Sequence, residues 1–223
     1  MTSETPITGP VDLGDFGDFG DFIEGYLPDD EAVAAARGRA HELGCRPVSP
    51  ATGAALGFLA ATLQARAVVE IGTGAGVSGL HLLRGMAVDG VLTTIDLEPE
   101  FHRCARRSFL DAGFPPGRTR LIMGRALDVL PRLTSGGYDL VFADATLLEY
   151  PSYFDAGVQL LRPGGVIVFH NVLADGRLGD HARRDPELLA LREVARAMRD
   201  DERLRPAIIP VGCGLLAAAV GGC

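Results

Sequence analysis

Val68-Val69-Glu70-Ile71-Gly72-Thr73-Gly74-Ala75-Gly76-Val77-Ser78 is the stretch whose reading decides the fold. An apolar, β-branched run carries an acid near its end and passes into a turn with glycine at every second position. Val77, Leu80, Leu83 and Ala87 follow at helical spacing. The order is strand, tight turn, helix, which is the entry to a nucleotide-type site. The glycines permit positive φ and let a ligand approach the backbone. The helix start beyond them offers free N–H groups to a carboxylate or hydroxyl. A second apolar run, Val91-Leu92-Thr93-Thr94-Ile95, stops at Asp96, about 20 residues past the turn, where an acid can grip a ribose diol.

Spacing narrows the ligand. A dinucleotide fingerprint places its third small residue where this chain has Val77, which disfavours a nicotinamide-dependent oxidoreductase. Here the third glycine is Gly76, giving Gly-x-Gly-x-Gly after Glu70. That pattern, with Asp96 downstream, resembles the S-adenosylmethionine-dependent methyltransferases. The bland alternative is a ligand-free glycine turn, and the paired acids argue against it.

The flanking sequence alternates strands and helices. Strands are predicted near 67–71, 91–95, 119–123, 138–143, 165–170, 206–210 and 213–220, and helices near 77–87, 98–112, 126–133, 150–161 and 186–200. This pattern predicts an α/β fold: a doubly wound, Rossmann-like, mostly parallel seven-stranded sheet with an antiparallel C-terminal strand and helices on both faces. Two helices precede the first strand. One opens at Asp29-Asp30-Glu31 and closes at Gly44; the other starts at Ser49-Pro50, an N-cap followed by Pro at the first helical position. The expected division is a poorly ordered tail over 1–20 and one methyltransferase-like domain over 21–223, with helices in 21–65 and the cofactor-binding core in 66–223. Three Gly-Asp-Phe copies occupy 14–22; they read as a solvated low-complexity tail or as phenylalanines that dock on a partner subunit.

Composition excludes other classes. The chain has 223 residues, a formal net charge of −8 and no block of basic residues, which argues against a large nucleic-acid interface. Lysine is absent, which rules out a P-loop Gly-Lys-Ser/Thr and a Schiff-base lysine. No apolar run is long enough to span a bilayer, and the N-terminus lacks the pattern of a signal peptide. Cys45, Cys104, Cys213 and Cys223 show no metal-binding spacing and read as reduced thiols of a cytoplasmic protein, with Cys104 and Cys213 expected to be buried.

In open α/β sheets ligands lie beyond the carboxyl ends of the strands. That rule selects Glu70, Asp96, Asp144 and the pair His170-Asn171, each ending an apolar run. Asp144 also fits a loop-capping carboxylate, and His170 a hydrogen-bonded imidazole without a ligand.

The whole array resembles the small class I O-methyltransferases related to catechol and caffeoyl-coenzyme A O-methyltransferases. The likeness runs from about Arg46 to the C-terminus. It rests on Val69-Glu70-Ile71-Gly72-Thr73, Ser78, Asp96, Gly124-Arg125-Ala126-Leu127, Tyr138 to Ala145, and Leu161-Arg162-Pro163-Gly164-Gly165-Val166 followed by Asn171. The resemblance implies that Glu70, Gly72, Thr73 and Ser78 line the methionine half of S-adenosylmethionine. It implies that Asp96 holds the ribose, Leu97 and Ala126 lie at the adenine, and Val48 contacts the cofactor from the N-terminal side. Asp144 would stand at the methyl-transfer centre, against the acceptor, with His170 as a second catalytic group.

Metal-dependent relatives hold a divalent cation, Mg²⁺ or Mn²⁺, on an Asp and an Asp-Asn pair. Asp144 and Asn171 match the first and last ligands, and His170 replaces the middle one. The family's Asp-Ala-Asp-Lys becomes Asp144-Ala145-Thr146-Leu147, so a second acid and the lysine are gone. One carboxylate, an imidazole and an amide suit Mg²⁺ poorly and lean toward Mn²⁺, Fe²⁺ or Zn²⁺. A cation-bound and a cation-free site both remain open on the sequence.

The reaction implied is methyl transfer to a hydroxyl of a small, phenolic or catecholic acceptor by a homodimeric enzyme. The acceptor pocket is expected between 147–150 and the segment 172–184. An N-methyltransferase, another adenosyl-sulfonium enzyme, and a cofactor-binding scaffold are the alternatives.

Overall fold

The computed structural model describes residues 16–173 and 182–221. Seven strands form one sheet: β1 (Ala67–Ile71), β2 (Val91–Asp96), β3 (Thr119–Met123), β4 (Tyr138–Ala143), β5 (Leu161–His170), β6 (Leu204–Ile209) and β7 (Leu215–Val220), in the order β3-β2-β1-β4-β5-β7-β6. Pairing is parallel from β3 across to β5, and β7 runs antiparallel to both β5 and β6. The strand order reverses direction between β1 and β4. A crevice opens at such a switch point, beyond the carboxyl ends of the strands. The Rossmann-like mixed sheet expected from the alternating pattern is therefore the sheet observed.

Among the described residues eight α-helices surround it: α1 (Phe16–Gly25), α2 (Glu31–Glu42), α3 (Pro50–Thr62), α4 (Val77–Gly85), α5 (Pro99–Asp111), α6 (Ala126–Val129), α7 (Tyr150–Leu160) and α8 (Pro186–Asp200). Period-2 alternation along the strands sends side chains to two separate cores. Val69, Ile71, Val141, Ile167 and Phe169 pack with Tyr150, Phe154 and Leu191 on one face. Val68, Leu92, Leu140, Phe142 and Val168 pack with Leu56, Leu80 and Phe109 on the other. Glu70, Thr94 and Phe142 share the second face by parity, and this places the polar cluster described below.

The expected helix starts hold. Asp30 accepts a hydrogen bond from the Val33 N–H at 3.0 Å, and Ser49 accepts one from Thr52 N–H at 3.2 Å, with Pro50 opening α3. Each cap stabilises its helix by about 1 kcal/mol.

Four local expectations need correction. The helix α1 starts at Phe16, inside the stretch read as a tail; residues 1–15 lie outside the described residues. Glycine and aspartate disfavour helix, but tertiary contact overrides them. The Glu24 carboxylate accepts from Ser49 Oγ at 2.8 Å and from the Ala51 N–H at 3.0 Å, which ties α1 to the start of α3. β5 begins at Leu161 rather than near 165, and its register against β4 breaks between Tyr138 and Leu140, where the Pro163-Gly164-Gly165 segment intervenes. The helix expected over 126–133 stays α-helical only to Val129 and tightens to a 3₁₀ turn over Leu130–Arg132, since Pro131 has no N–H to continue the ladder. Cys213 is exposed and Cys104 half-buried, so neither is a core residue; Cys45 and Cys104 are free thiols, and Cys223 lies outside the described residues.

Asp139, one of the residues behind the family resemblance, belongs to the other end of the sheet. It accepts from the N–H groups of Arg66 and Ala67 at 2.7 and 2.9 Å and from Arg162 Nε at 2.6 Å, latching β1, β4 and β5 at their starts. These bonds hold its carboxyl below the usual range against the opposing effect of burial.

Candidate active site

The crevice at the switch point is a cleft of about 420 Å³, within the range of small-ligand sites. Its floor is the turn Gly72-Thr73-Gly74-Ala75. Gly72 has φ +96°, and a Cβ there would collide with the carbonyl oxygen of Asp144. Gly76 has φ +88° and lies close to Phe109 and Ala105 of α5. Both positions require glycine: the first lets β1 and β4 meet beneath a ligand, and the second lets α4 start close against α5.

Asp96 stands beside this floor. Its Oδ2 accepts from the N–H groups of Thr73 and Gly74 at 2.8 and 3.0 Å, and its Oδ1 accepts from the Glu98 N–H at 3.1 Å. The acid thus already holds the glycine turn in place, a role the sequence reading did not assign. Gly72, Thr73, Ser78, Asp96, Leu97, Ala126, Val48 and Asp144 all line the cleft. Val48 is buried at the wall, and its carbonyl oxygen accepts from Arg37 Nη1 at 2.7 Å; Leu97 is exposed at the rim.

Glu70 is placed differently from the expectation. It is fully buried behind the turn, and its carboxylate faces side chains rather than the cleft wall. Ser78 Oγ donates to Oε1 at 2.6 Å, and Thr94 Oγ1 donates to Oε2 at 2.6 Å. Thr94 is its register partner on β2. Thr73 and Thr94 hydroxyls lie 2.7 Å apart. Burial pushes the Glu70 carboxyl up to about 7, opposed by the hydroxyl bonds and assisted by the negative charges of Asp144 and Asp96.

Asp144 and His170 meet because register dictates it. Phe142 pairs with Val168 and Ala143 with Phe169, so the next step brings Asp144 beside His170. His170 Nδ1 lies 2.8 Å from Asp144 Oδ1. An ionised carboxylate only accepts, so Nδ1 carries a proton. Asp144 reaches the cleft, whereas His170 is buried one layer behind, and its Nε2 has no partner among the described residues. Tyr150, fully buried, supports both strand ends: its hydroxyl lies 3.0 Å from the His170 carbonyl oxygen and 3.2 Å from that of Ala143.

The expected metal set does not assemble into a site for a hard cation. His170 Nδ1 uses its proton on Asp144, its Nε2 is buried, and Asn171 follows the strand in the left-handed region, at φ +59°. A single carboxylate already engaged by an imidazole N–H fits neither Mg²⁺ nor Mn²⁺ well. Among the described residues no three His, Cys, Asp or Glu side chains come together.

Several wall residues, Cys45, Pro47, Phe101 and Tyr153 among them, carried no sequence signal, whereas Arg125 and Glu149 lie in stretches that the sequence singles out. Cys45, Arg46 and Pro47 close one side, and Phe101 from α5 lies near Leu97. Arg125 Nη2 donates to Glu149 Oε1 at 2.9 Å and Tyr153 donates to Glu149 Oε2 at 2.6 Å, closing the far side. The Tyr153 bond, with Arg125, holds the Glu149 carboxyl below its usual range, while burial raises that of the Tyr153 phenol. Of the segment expected to bound the acceptor pocket, 174–181 lie outside the described residues. No helix among the described residues is long and apolar enough to cross a membrane.

A glycine turn at a topological switch point, an acid at the end of the second strand and an acid facing them across the cleft make a nucleotide-type cofactor site, as the resemblance to the S-adenosylmethionine-dependent methyltransferases implies. Comparison with known proteins makes this specific. The O-methyltransferase family model matches residues 35–219, and the chain belongs to that family. A relative named as an O-methyltransferase from Mycolicibacterium vanbaalenii is 57% identical over 196 residues, covering 88% of this chain and 87% of that protein. One from Mycobacterium avium is 54% identical over 195 residues, with 87% and 88% covered.

Among solved structures, TomG, an O-methyltransferase of tomaymycin synthesis from Streptomyces achromogenes in complex with S-adenosylmethionine, superposes with a TM-score of 0.84. It is 31% identical, and 92% and 96% of the chains are covered. The O-methyltransferase from Bacillus cereus in complex with S-adenosylhomocysteine gives 0.83 at 26% identity, covering 91% and 97%. The protein is an S-adenosylmethionine-dependent O-methyltransferase.

Proposed function

We propose that the methyl acceptor is the hydroxyl of a small phenol or catechol, and that Asp144 is the group that meets it. One observation carries this reading: of Glu70, Asp96 and Asp144 at the ends of β1, β2 and β4, Asp144 reaches the cleft with its carboxylate bonded to His170 and to no backbone N–H among the described residues. Asp96 is committed to the glycine turn and Glu70 is sealed beneath it.

The cofactor would lie with its ribose at Asp96, its methionine arm over Gly72 and Thr73 towards Ser78, and its adenine between Leu97 and Ala126. Val48 would close the N-terminal side. The acceptor oxygen then attacks the sulfonium methyl in line. The oxygen–carbon bond forms as the carbon–sulfur bond breaks, S-adenosylhomocysteine leaves, and the hydroxyl proton passes by way of Asp144 to water. Holding oxygen, methyl and sulfur in line lowers the barrier by about 7 kcal/mol or more. Proton acceptance by a positioned side chain adds roughly 10²- to 10⁴-fold. A phenol, with a pKa of about 10, needs only that modest help. His170 acts as a positioning residue: its Nδ1–H fixes the Asp144 rotamer and keeps the outward oxygen available as an acceptor.

Since the donor set does not fit Mg²⁺ or Mn²⁺, no step is assigned to a cation. A panel of phenols and catechols, assayed by formation of S-adenosylhomocysteine with EDTA and with added Mg²⁺ or Mn²⁺, tests both points. Turnover of a phenolic member undiminished by EDTA is expected. Turnover restricted to amines, or abolished by chelator and restored by metal, would overturn them.

We also place the enzyme in the cytoplasm as a homodimer acting on a small molecule, without nucleic-acid or membrane partners. Free Cys45 and Cys104 suit a reducing compartment. Phe22 of α1, Tyr26 and Leu27 just after it, and Phe58 of α3 are exposed apolar side chains of the kind that a second subunit covers. Light scattering after size-exclusion chromatography reads the oligomer directly.

A further inference from the structure

We propose that Glu70 is a positioning residue whose proton sets the polarity of a hydroxyl relay ending in Thr73 and Ser78, and that it thereby makes cofactor affinity depend on pH. The inference rests on the proposed placement of the methionine arm over these two residues.

With Glu70 ionised, the geometry fixes the direction of every proton in the relay. A hydroxyl has one proton to give. Thr94 gives its proton to Glu70 Oε2, so Thr73 must donate to Thr94 across their 2.7 Å contact. Ser78 gives its proton to Glu70 Oε1. With Glu70 ionised, both cleft-lining hydroxyls therefore point their protons inward and turn lone pairs towards the cleft. Lone pairs suit the ammonium group of the methionine arm.

A protonated Glu70 reverses one branch. Its O–H must donate, either to Ser78 or to Thr94, because a buried donor left unpaired is costly. The recipient hydroxyl, no longer needed by the carboxyl, swings its proton away. On the Ser78 branch that proton faces the cleft. On the Thr94 branch it passes to Thr73, whose own proton is then released to the cleft. Either way the wall exchanges an acceptor for a donor and loses a negative charge behind it, and both changes disfavour a cationic ligand.

The surroundings place this exchange in an accessible range. Burial lifts the Glu70 carboxyl to about 7. The charged groups that reach it are Asp96 from the end of β2 and Asp144 from the end of β4, both anionic; α4 faces it with Ser78 and β2 with Thr94. A cationic ligand favours the ionised form, so binding releases a proton, and affinity rises with pH. A displacement of one pKa unit on binding multiplies affinity tenfold across the transition.

Calorimetric titration of the full chain with S-adenosylmethionine, from about pH 6 to about pH 8.5, tests this in wild type, Glu70→Gln and Ser78→Ala combined with Thr73→Val. Wild-type affinity is expected to rise about tenfold. Glu70→Gln, which has no proton to lose, is expected to vary by less than about twofold over the same range. A merely structural Glu70 would lower affinity equally at every pH, so a Glu70→Gln curve parallel to wild type overturns the proposal. Should Glu70→Gln fail to fold, Thr73→Val added to Ser78→Ala keeps the carboxyl and removes the cleft end of both branches: a flattened rise supports the relay, and a curve parallel to wild type overturns it. Wild-type binding that is tight but flat with pH also overturns it, whereas no binding at any pH would instead contradict the cofactor placement.

Discussion

The two halves of the cleft are built by different means. The cofactor half, between β1 and β2, is made of backbone and short-range pairing: three glycines, two strand ends and an acid that accepts three backbone N–H groups. The acceptor half, beyond β4 and β5, is made of side chains brought together by register, with Asp144 bonded to His170 and Tyr150 beneath both. Backbone geometry tolerates few sequences, so the first half advertises itself. Side-chain pockets tolerate many, so the second half can change its ligand while the fold persists.

Mutations that separate the two halves sharpen this contrast. The largest effect belongs to Gly72→Ala, where a side chain needs both a positive φ and the space taken by the Asp144 carbonyl. Binding of S-adenosylmethionine should weaken more than about 100-fold, with stability lowered by about 1–3 kcal/mol. Calorimetry and thermal melting check it. Asp144→Asn should do the converse, cutting kcat about 10²- to 10⁴-fold while leaving cofactor affinity within about twofold. A loss of cofactor binding comparable to that of Gly72→Ala would merge the two halves into one unit.

Stability against pH probes the layer beneath. The Glu70 carboxyl titrates higher in the folded chain than at its ordinary value of 4.5, so its favourable contribution is full below that value and is lost as pH rises to about 7. Glu70→Gln should therefore remove a stability difference on the order of 3 kcal/mol between about pH 4 and about pH 8. Urea melts at the two pH values measure it. The smallest effect is expected for Asp96→Asn, which keeps one oxygen for the Thr73 and Gly74 N–H groups but loses the second acceptor for a ribose hydroxyl. Affinity should fall about tenfold. Asp96→Ala should fall further, because it also orphans the two turn N–H groups. Equal losses in the two variants would mean that Asp96 serves the turn alone.

Most of the fold was legible because its elements obey strong local rules. The strand–turn–helix at 68–78, the Asp30 and Ser49 caps and the antiparallel C-terminal strand all fell where pattern and turn chemistry put them. Propensity failed at α1, where Glu24 reaches a helix start that lies 25 residues away in sequence. The site was legible where an acid ends a strand: Asp96 and Asp144 face the cleft. It was misread in depth. Strand ends reveal which residues come together but not which layer each side chain occupies, so Glu70 and His170 stand behind the wall rather than on it. Glu149 lines the cleft within the 147–150 stretch expected to bound the acceptor, whereas Phe101 and Tyr153 gave no signal because helix-borne wall residues look like any amphipathic helix.

A crystal structure with S-adenosylhomocysteine bound bears most directly on the cofactor placement. The ribose hydroxyls should lie within about 2.7–3.2 Å of the Asp96 carboxylate, with the amino-acid arm over Gly72 and reaching the Ser78 hydroxyl. A ligand seated elsewhere, with Asp96 touching only the glycine turn, would contradict it.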